Sequence, residues 1–372
     1  MKGSLKLATF AGITLFVHWT FAILIVAIPM IYLWAGLSWV AAVQGLALIL
    51  AIFVCVVLHE YGHALTARRF GVPTRDITLL PIGGVARLQK VPEQPSQEFV
   101  IAMMGPIVNL FIAGILLVVL VGSGTLASPQ VTFAELEGAF FSRLMWLNLF
   151  LVGFNLIPAF PMDGGRALRA GLAMRMEYTR ATQIAANIGQ GIAIMFGLVG
   201  LFGNFILLFI AIFVYLGAQQ EAQFTMMRAV TKGVPVREAM ITHFRTLTPE
   251  NTLEDVIHEL VEGYEEDFPV VEDGQLAGVL TRKRLLKALP EYGREATVGE
   301  VMHRRCISVD PSEMLSEAFQ RMQESDCPML PVVQDGDVVG VVTLENIGEM
   351  MMIASALDRL GIGAARKGIF SS

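Results

Sequence analysis

The chain has 372 residues, of which 54% are hydrophobic and 16% charged, against roughly 25% charged in an ordinary soluble domain. Its formal net charge is −6, from 27 Lys+Arg and 33 Asp+Glu, which excludes the basic footprint of a nucleic-acid binder. Residues 1–227 carry 12 Lys+Arg and 9 Asp+Glu, whereas residues 228–372 carry 15 and 24. A membrane part followed by an acidic, water-soluble part is therefore predicted.

Residues 1–10 contain Lys2 and Lys6, and no small-residue cleavage site follows the first apolar run. The expectation is a retained first span rather than a removed signal peptide. A bilayer core needs about 20 apolar residues per helix. Six spans are predicted on that measure, near 11–34, 39–63, 99–122, 138–158, 184–202 and 204–223. Lys2 and Lys6, then Arg68, Arg69, Arg75, Arg87 and Lys90, then Arg166, Arg169, Arg175 and Arg180 fall on one side if the spans alternate. The opposite loops, near Gly36, from Gly122 to Gly138 and at Gly203-Asn204, contain no Lys or Arg. Positive loops stay in the cytoplasm, so both termini are expected there, in a multi-pass protein of the cell membrane.

Between Leu7 and Leu58 there is no Asp, Glu, Lys or Arg, and then His59-Glu60-Tyr61-Gly62-His63 appears. Residues four apart lie one above the other on a helix, so His59 and His63 can reach one metal ion. Glu60 is displaced round the helix, placed to take a proton from a metal-activated water. Histidines packed as helix-to-helix donors are the structural alternative, but ionisable clusters at membrane depth mark functional sites. Catalytic zinc usually takes three protein ligands. Span four ends in Asn155-Leu156-Ile157-Pro158-Ala159-Phe160-Pro161-Met162-Asp163-Gly164-Gly165-Arg166, where two prolines break the helix and two glycines permit an unusual turn. Irregular backbone at membrane depth is tolerated where it is buried or lines a watery cavity, which places Asp163 well as third ligand.

These two elements, in this order and about 100 residues apart, resemble those of the site-2 protease family of intramembrane zinc metalloproteases. The resemblance covers roughly residues 1–225. It implies one zinc per chain held by His59, His63 and Asp163, with Glu60 activating water. Met162 stands where the family often has leucine. Asn155 matches the family's asparagine, which contacts substrate or polarises the scissile carbonyl; a helix-to-helix hydrogen bond is the structural alternative. Residues 72–91 read as short strands about a Gly83-Gly84 turn. Similar family segments form a small sheet at the membrane surface, whose edge would hold an unwound substrate by strand addition. Gly105-Pro106-Ile107-Val108-Asn109 also resembles a family element, but helix packing explains it equally well, and Asn109 is left off the candidate catalytic residues.

After Gly233 one pattern occurs twice at a constant offset of 62 residues. Val236-Arg237-Glu238-Ala239-Met240 aligns with Val298-Gly299-Glu300-Val301-Met302, and Phe268-Pro269-Val270-Val271 with Leu330-Pro331-Val332-Val333. Asp273-Gly274 aligns with Asp335-Gly336, and Thr281 with Thr343. Each unit reads as helix, strand, Asp-Gly hairpin turn, strand and helix. The pair resembles tandem CBS motifs, which implies one α/β unit, adenine-nucleotide binding and association into a homodimer. The family's ribose-holding aspartate is replaced by Arg284 and Asn346, so a purely structural or dimerising pair stands beside nucleotide regulation. The nucleotide-binding residues are not assigned.

The fold expected is thus a polytopic α-helical membrane domain with a small membrane-surface sheet, joined to a soluble α/β tandem CBS domain. Boundaries are drawn at 1–227 for the metalloprotease part, 228–233 for a linker, 234–291 and 296–353 for the two CBS motifs, and 354–372 for a C-terminal helix and tail. The function expected is intramembrane cleavage of a membrane-anchored protein near the cytoplasmic face, within regulated intramembrane proteolysis. A CBS-regulated channel or transporter is the alternative. Cys55, Cys306 and Cys327 have no paired or metal-ligand spacing, which argues against a disulfide framework and for a reduced compartment. Cys55 lies one turn before His59, where helix packing or a role near the metal would place it, and His18 has no assigned role.

Overall fold

The computed structural model describes residues 4–81, 83–88, 94–127, 139–263, 266–304, 306–324 and 327–359. Lys90 and the tail from 360 onward lie outside the described residues. Two compact units are present, Met1–Ala222 and Gln223–Ser372.

The first unit begins with a hairpin, β1 (Ser4–Phe10) and β2 (Ile13–His18), followed by α1 (Phe21–Trp34) and α2 (Trp39–Arg69). A second hairpin, β3 (Thr74–Leu80) and β4 (Gly83–Leu88), precedes α3 (Pro95–Ser123). Then come α4 (Phe140–Asn155), α5 (Asp163–Ala173), α6 (Tyr178–Leu201) and α7 (Phe205–Thr231), the last running into the second unit. Among the described residues, four helices, α2, α3, α6 and α7, are long and apolar enough to cross a membrane. Their packing is that of a membrane bundle: buried positions are dominated by small residues, such as Ala42, Gly45, Ala64, Ala67, Ala102, Ala185 and Gly189. Large apolar residues such as Val54, Val118 and Phe209 face outward. Small residues let helix backbones approach where lipid supplies no hydrophobic drive for association. Together with its family, identified below, this makes the chain a multi-pass membrane protein.

The expected first span is divided. Only 21–34 is helical, while Ile13–His18 forms a strand. An uncharged apolar run reads alike as helix or strand until a partner decides it, and β2 finds one in β3, to which it pairs in parallel. Among the described residues the small sheet therefore has four strands, in the order β1-β2-β3-β4. Ile13, Leu15, Ile77 and Leu79 pack with Ala64 of α2 beneath it. Arg68 donates to the Ala11 carbonyl at 2.9 Å, fastening the end of α2 to the first hairpin turn. Other boundaries move too: α2 continues six residues past His63, and α4 has 16 residues, about 24 Å long at 1.5 Å per residue. Residues 228–231 of the expected linker belong to α7.

The second unit contains α8 (Leu253–Glu262), β5 (Asp267–Glu272), β6 (Gln275–Thr281), α9 (Arg282–Tyr292) and α10 (Val298–Val301). It continues with α11 (Leu315–Glu324), β7 (Met329–Gln334), β8 (Asp337–Thr343) and α12 (Leu344–Arg359). Both Asp-Gly turns have positive φ at both residues, 51° and 82° at Asp273-Gly274, 56° and 101° at Asp335-Gly336, as a type I′ hairpin requires. The hairpins join through β6 and β8, giving the order β5-β6-β8-β7. Each repeat lends its first segment to the other's core. Val236 and Ala239 pack with Leu315, Phe319 and Ile347, while Val298, Val301 and Met302 pack with Leu253, Phe268 and Leu285. Neither motif has a complete core alone, which is why the pair forms one unit.

The reading of the cysteines is corrected here. Cys306 and Cys327, 21 residues apart with Cα atoms 6.7 Å apart, form a disulfide. The fold brings them together by returning the chain through α11, which their spacing does not disclose.

Candidate metal centre

α2 supplies two candidate metal donors because its helical register stacks His59 above His63, both buried. Their Nε2 atoms are 3.1 Å apart, and each is 3.1 Å from Oδ2 of Asp163, the first residue of α5. Tetrahedral zinc with bonds of about 2.0–2.1 Å places its ligand atoms about 3.3 Å apart, so the triangle fits. Its hydrogen bonding fits as well. His63 Nδ1 is 2.7 Å from the Ile101 carbonyl, which can only accept, so Nδ1 carries the proton and a neutral ring presents a bare Nε2. His59 Nδ1 is 3.2 Å from Asn109 Oδ1, an arrangement of the same kind. Two imidazole lone pairs and a carboxylate oxygen thus converge, and three electron-pair donors at this spacing repel one another unless a cation sits among them.

Asp163 reaches the pair because the chain from 156 to 162 turns sharply after α4. A Cβ on Gly164 would lie 2.3 Å from the Ile157 carbonyl oxygen, so only glycine permits that turn. The other carboxylate oxygen, Oδ1, is 3.9 Å from Arg166 Nη1. Glu60 lies one residue round the helix from His59, beneath β4. A Cβ on Gly84 would fall 2.7 Å from Glu60 Cγ, so the strand passes directly over the glutamate. β4 is the last strand of its sheet, pairing only with β3 among the described residues.

Three contributions were not anticipated, and all come from α3. Asn109, left off the candidates, is fully buried and orients His59. The Ile101 carbonyl orients His63. Gly105 lies against both rings, where a Cβ would sit 2.2 Å from His63 Nε2 and 2.5 Å from His59 Nε2. The Gly105 to Asn109 element carried a signal, but which face of α3 meets the histidines is settled only by tertiary packing. Asn155 is the last residue of α4, half-buried, eight residues before Asp163. Cys55 accepts from Asn148 Nδ2 at 3.4 Å and packs with Leu48 and Leu144, a contact between α2 and α4. His18 Nδ1 lies 2.7 Å from Thr20 Oγ1, a local contact at the start of α1.

Comparison with known proteins points to zinc metalloproteases. The family model for Peptidase family M50 matches residues 47–138 and 125–198, and that for the CBS domain matches 236–291 and 298–351. The zinc metalloprotease MJ0392 of Methanocaldococcus jannaschii is 33% identical over 363 residues, covering 97% of this chain and 99% of its own. Rip3 of Mycobacterium tuberculosis, also named as a zinc metalloprotease, is 28% identical over 94% of this chain and 93% of its own. The solved site-2 protease from M. jannaschii superposes with a TM-score of 0.44 at 40% identity, covering 59% of this chain and 95% of that one.

A buried His-His-Asp triangle among small-residue helices, with full-length similarity to a zinc metalloprotease, defines the class: this chain belongs to Peptidase family M50, the site-2 proteases. Within it, the chain is a zinc metalloprotease bearing a C-terminal CBS pair. The transporter alternative falls with that assignment.

Proposed function

We propose that this protein cleaves a membrane-anchored protein close to the cytoplasmic face of the cell membrane, with both termini in the cytoplasm, in regulated intramembrane proteolysis. The observation that carries the reading is the triangle of His59, His63 and Asp163, with Glu60 one residue from the first ligand. Depth is argued from the continuity of α2. His59 is nine residues before Arg68 on one helix, about 14 Å, and Arg68 and Arg69 mark the positive side. His59, His63 and Asp163 would hold a zinc ion, which when bound would supply Lewis acidity toward the scissile carbonyl and the attacking water. Glu60 accepts the proton of the attacking water and returns it to the leaving amine. Asn155 donates to the carbonyl oxygen as negative charge develops.

A helical substrate hides its peptide bonds and must unwind before hydrolysis. The edge of β4 that pairs with no strand among the described residues, lying over Glu60, supports capture of the unwound segment as an added strand. The CBS pair is read as an adenine-nucleotide sensor and a dimerising surface. Arg284 Nε donates to the Val301 carbonyl, so that side chain is already engaged. Asn346 Oδ1 is buried with no partner among the described residues, which favours the second motif for a ribose hydroxyl.

The test uses the purified full chain and a single-span substrate in detergent or vesicles. Cleavage is expected to stop on chelation and resume with zinc, and Asp163→Ala is expected to weaken zinc binding sharply. Unchanged zinc affinity in Asp163→Ala would remove it from the ligand set. Titration of the full chain with ATP and AMP is expected to give binding that Asn346→Leu abolishes; binding to neither would leave the pair structural.

A further inference from the structure

We infer that Arg169 is a positioning residue for the metal centre, setting where Asp163 stands relative to the two histidines; this rests on the ligand reading above. The histidines are held from α3, by Ile101, Gly105 and Asn109, whereas Asp163 belongs to α5. Something must fix α5 against α3, since a metal site requires its ligand atoms within about 0.2 Å of place.

Arg169 provides that link. It lies six residues after Asp163 on α5, about 9 Å along the helix. Its exposure is 4% and that of Glu98, on α3, is 1%. Nε donates to Glu98 Oε1 at 3.0 Å, Nη2 donates to the same oxygen, and Nη1 donates to Glu221 of α7. Glu98 is three residues before Ile101, so the ion pair and the carbonyl holding His63 share one turn of α3. Glu98, Gly105 and Asn109 are seven and four residues apart, which puts them on one stripe of that helix.

The same guanidinium also grips the loop that leads into Asp163. Its carbon is 5.0 Å from the centre of the Phe160 ring, three residues before Asp163, and 5.0 Å from that of Tyr178 at the start of α6. A flat cation between two aromatic faces resists rotation as well as translation. Arg169 therefore holds both ends of the Asp163 segment, the loop by stacking and the helix by ion pairing. None of its atoms needs to touch zinc or substrate.

The experiment measures zinc affinity by chelator competition and the visible spectrum of the cobalt-substituted full chain, for Arg169→Lys and Glu98→Gln beside Asp163→Ala. Lysine keeps the charge but loses the fork and the stacking plane. The glutamine keeps size and removes the charge. Each is expected to remain folded, to bind zinc about 10–100-fold more weakly and to alter the cobalt bands, as loss of a ligand's support does. Wild-type affinity and an unchanged spectrum in both variants, with Asp163→Ala strongly impaired, would overturn the positioning role alone. Undiminished affinity in Asp163→Ala would overturn the ligand reading with it. Should Arg169→Lys fail to fold, Glu98→Gln carries the test by the same two readouts.

Discussion

Gly105→Ala adds one methyl group where two imidazoles converge. The new Cβ would sit 2.2 Å from His63 Nε2 and 2.5 Å from His59 Nε2, against an ordinary contact of about 3.5 Å. More than 1 Å of overlap must be relieved. The rings cannot simply swing aside, because His63 is tied to the Ile101 carbonyl one turn earlier on the same helix and His59 to Asn109 one turn later. Overpacking of this kind costs about 1–3 kcal/mol. Replacing a helix-interior glycine by alanine returns about 0.8–1.0 kcal/mol. Fold stability should therefore drop by no more than about 2 kcal/mol, while the ligand triangle is forced apart and zinc affinity falls at least tenfold. Gly114→Ala is the matched control, on the same helix with nothing within 4 Å of the added carbon. Zinc content, thermal unfolding and substrate cleavage are measured for both. Wild-type zinc content and cleavage in Gly105→Ala would refute the reasoning, because the rings would then stand elsewhere.

Other outcomes follow from the same geometry. Asn109→Leu keeps volume but removes the acceptor for His59, and chelator competition should show zinc binding about 10–100-fold weaker. Asn155→Ala should lower kcat by about 10²–10³ with zinc content unchanged, as loss of a carbonyl-polarising donor does. In the soluble unit, hydrogen bonds from the Thr252 N–H and hydroxyl hold the Asp255 carboxyl below its usual range. A lowered folded pKa gives stability that is full above the unfolded value near 3.9 and is lost as pH falls through the folded value. Asp255→Asn should thus melt earlier than wild type at pH 6, and the gap should close as the pH falls below about 4. A gap that widens on acidification would contradict the cap.

How much of this could be read from the chain depended on whether the signal was local. His59, Glu60 and His63 share one turn of helix at the end of a long uncharged apolar run, so spacing and placement together suggest the chemistry. The prolines and glycines around Asp163 mark broken backbone wherever the segment lies. The Asp-Gly turns and the 62-residue offset fixed the hairpins of the soluble unit before any tertiary contact was known. Readings failed where a distant partner decided the outcome. Ile13–His18 became a strand because β3 accepted it, Cys306 met Cys327 because the fold returned there, and Asn109 mattered because one face of α3 turned toward α2. Arg169, one of many arginines in its stretch of sequence, takes its inferred role from Glu98, 71 residues earlier in the chain.

Central to the account is Glu60 as the base that takes a proton from water at a zinc held by other residues. Glu60→Gln keeps the side chain's size beneath Gly84 and removes only its basicity. Zinc content and cleavage of a membrane-anchored substrate are measured side by side in the purified wild type and variant. The prediction is full zinc with the rate lowered by at least about 10²-fold. Equal cleavage by the two proteins would contradict the assignment.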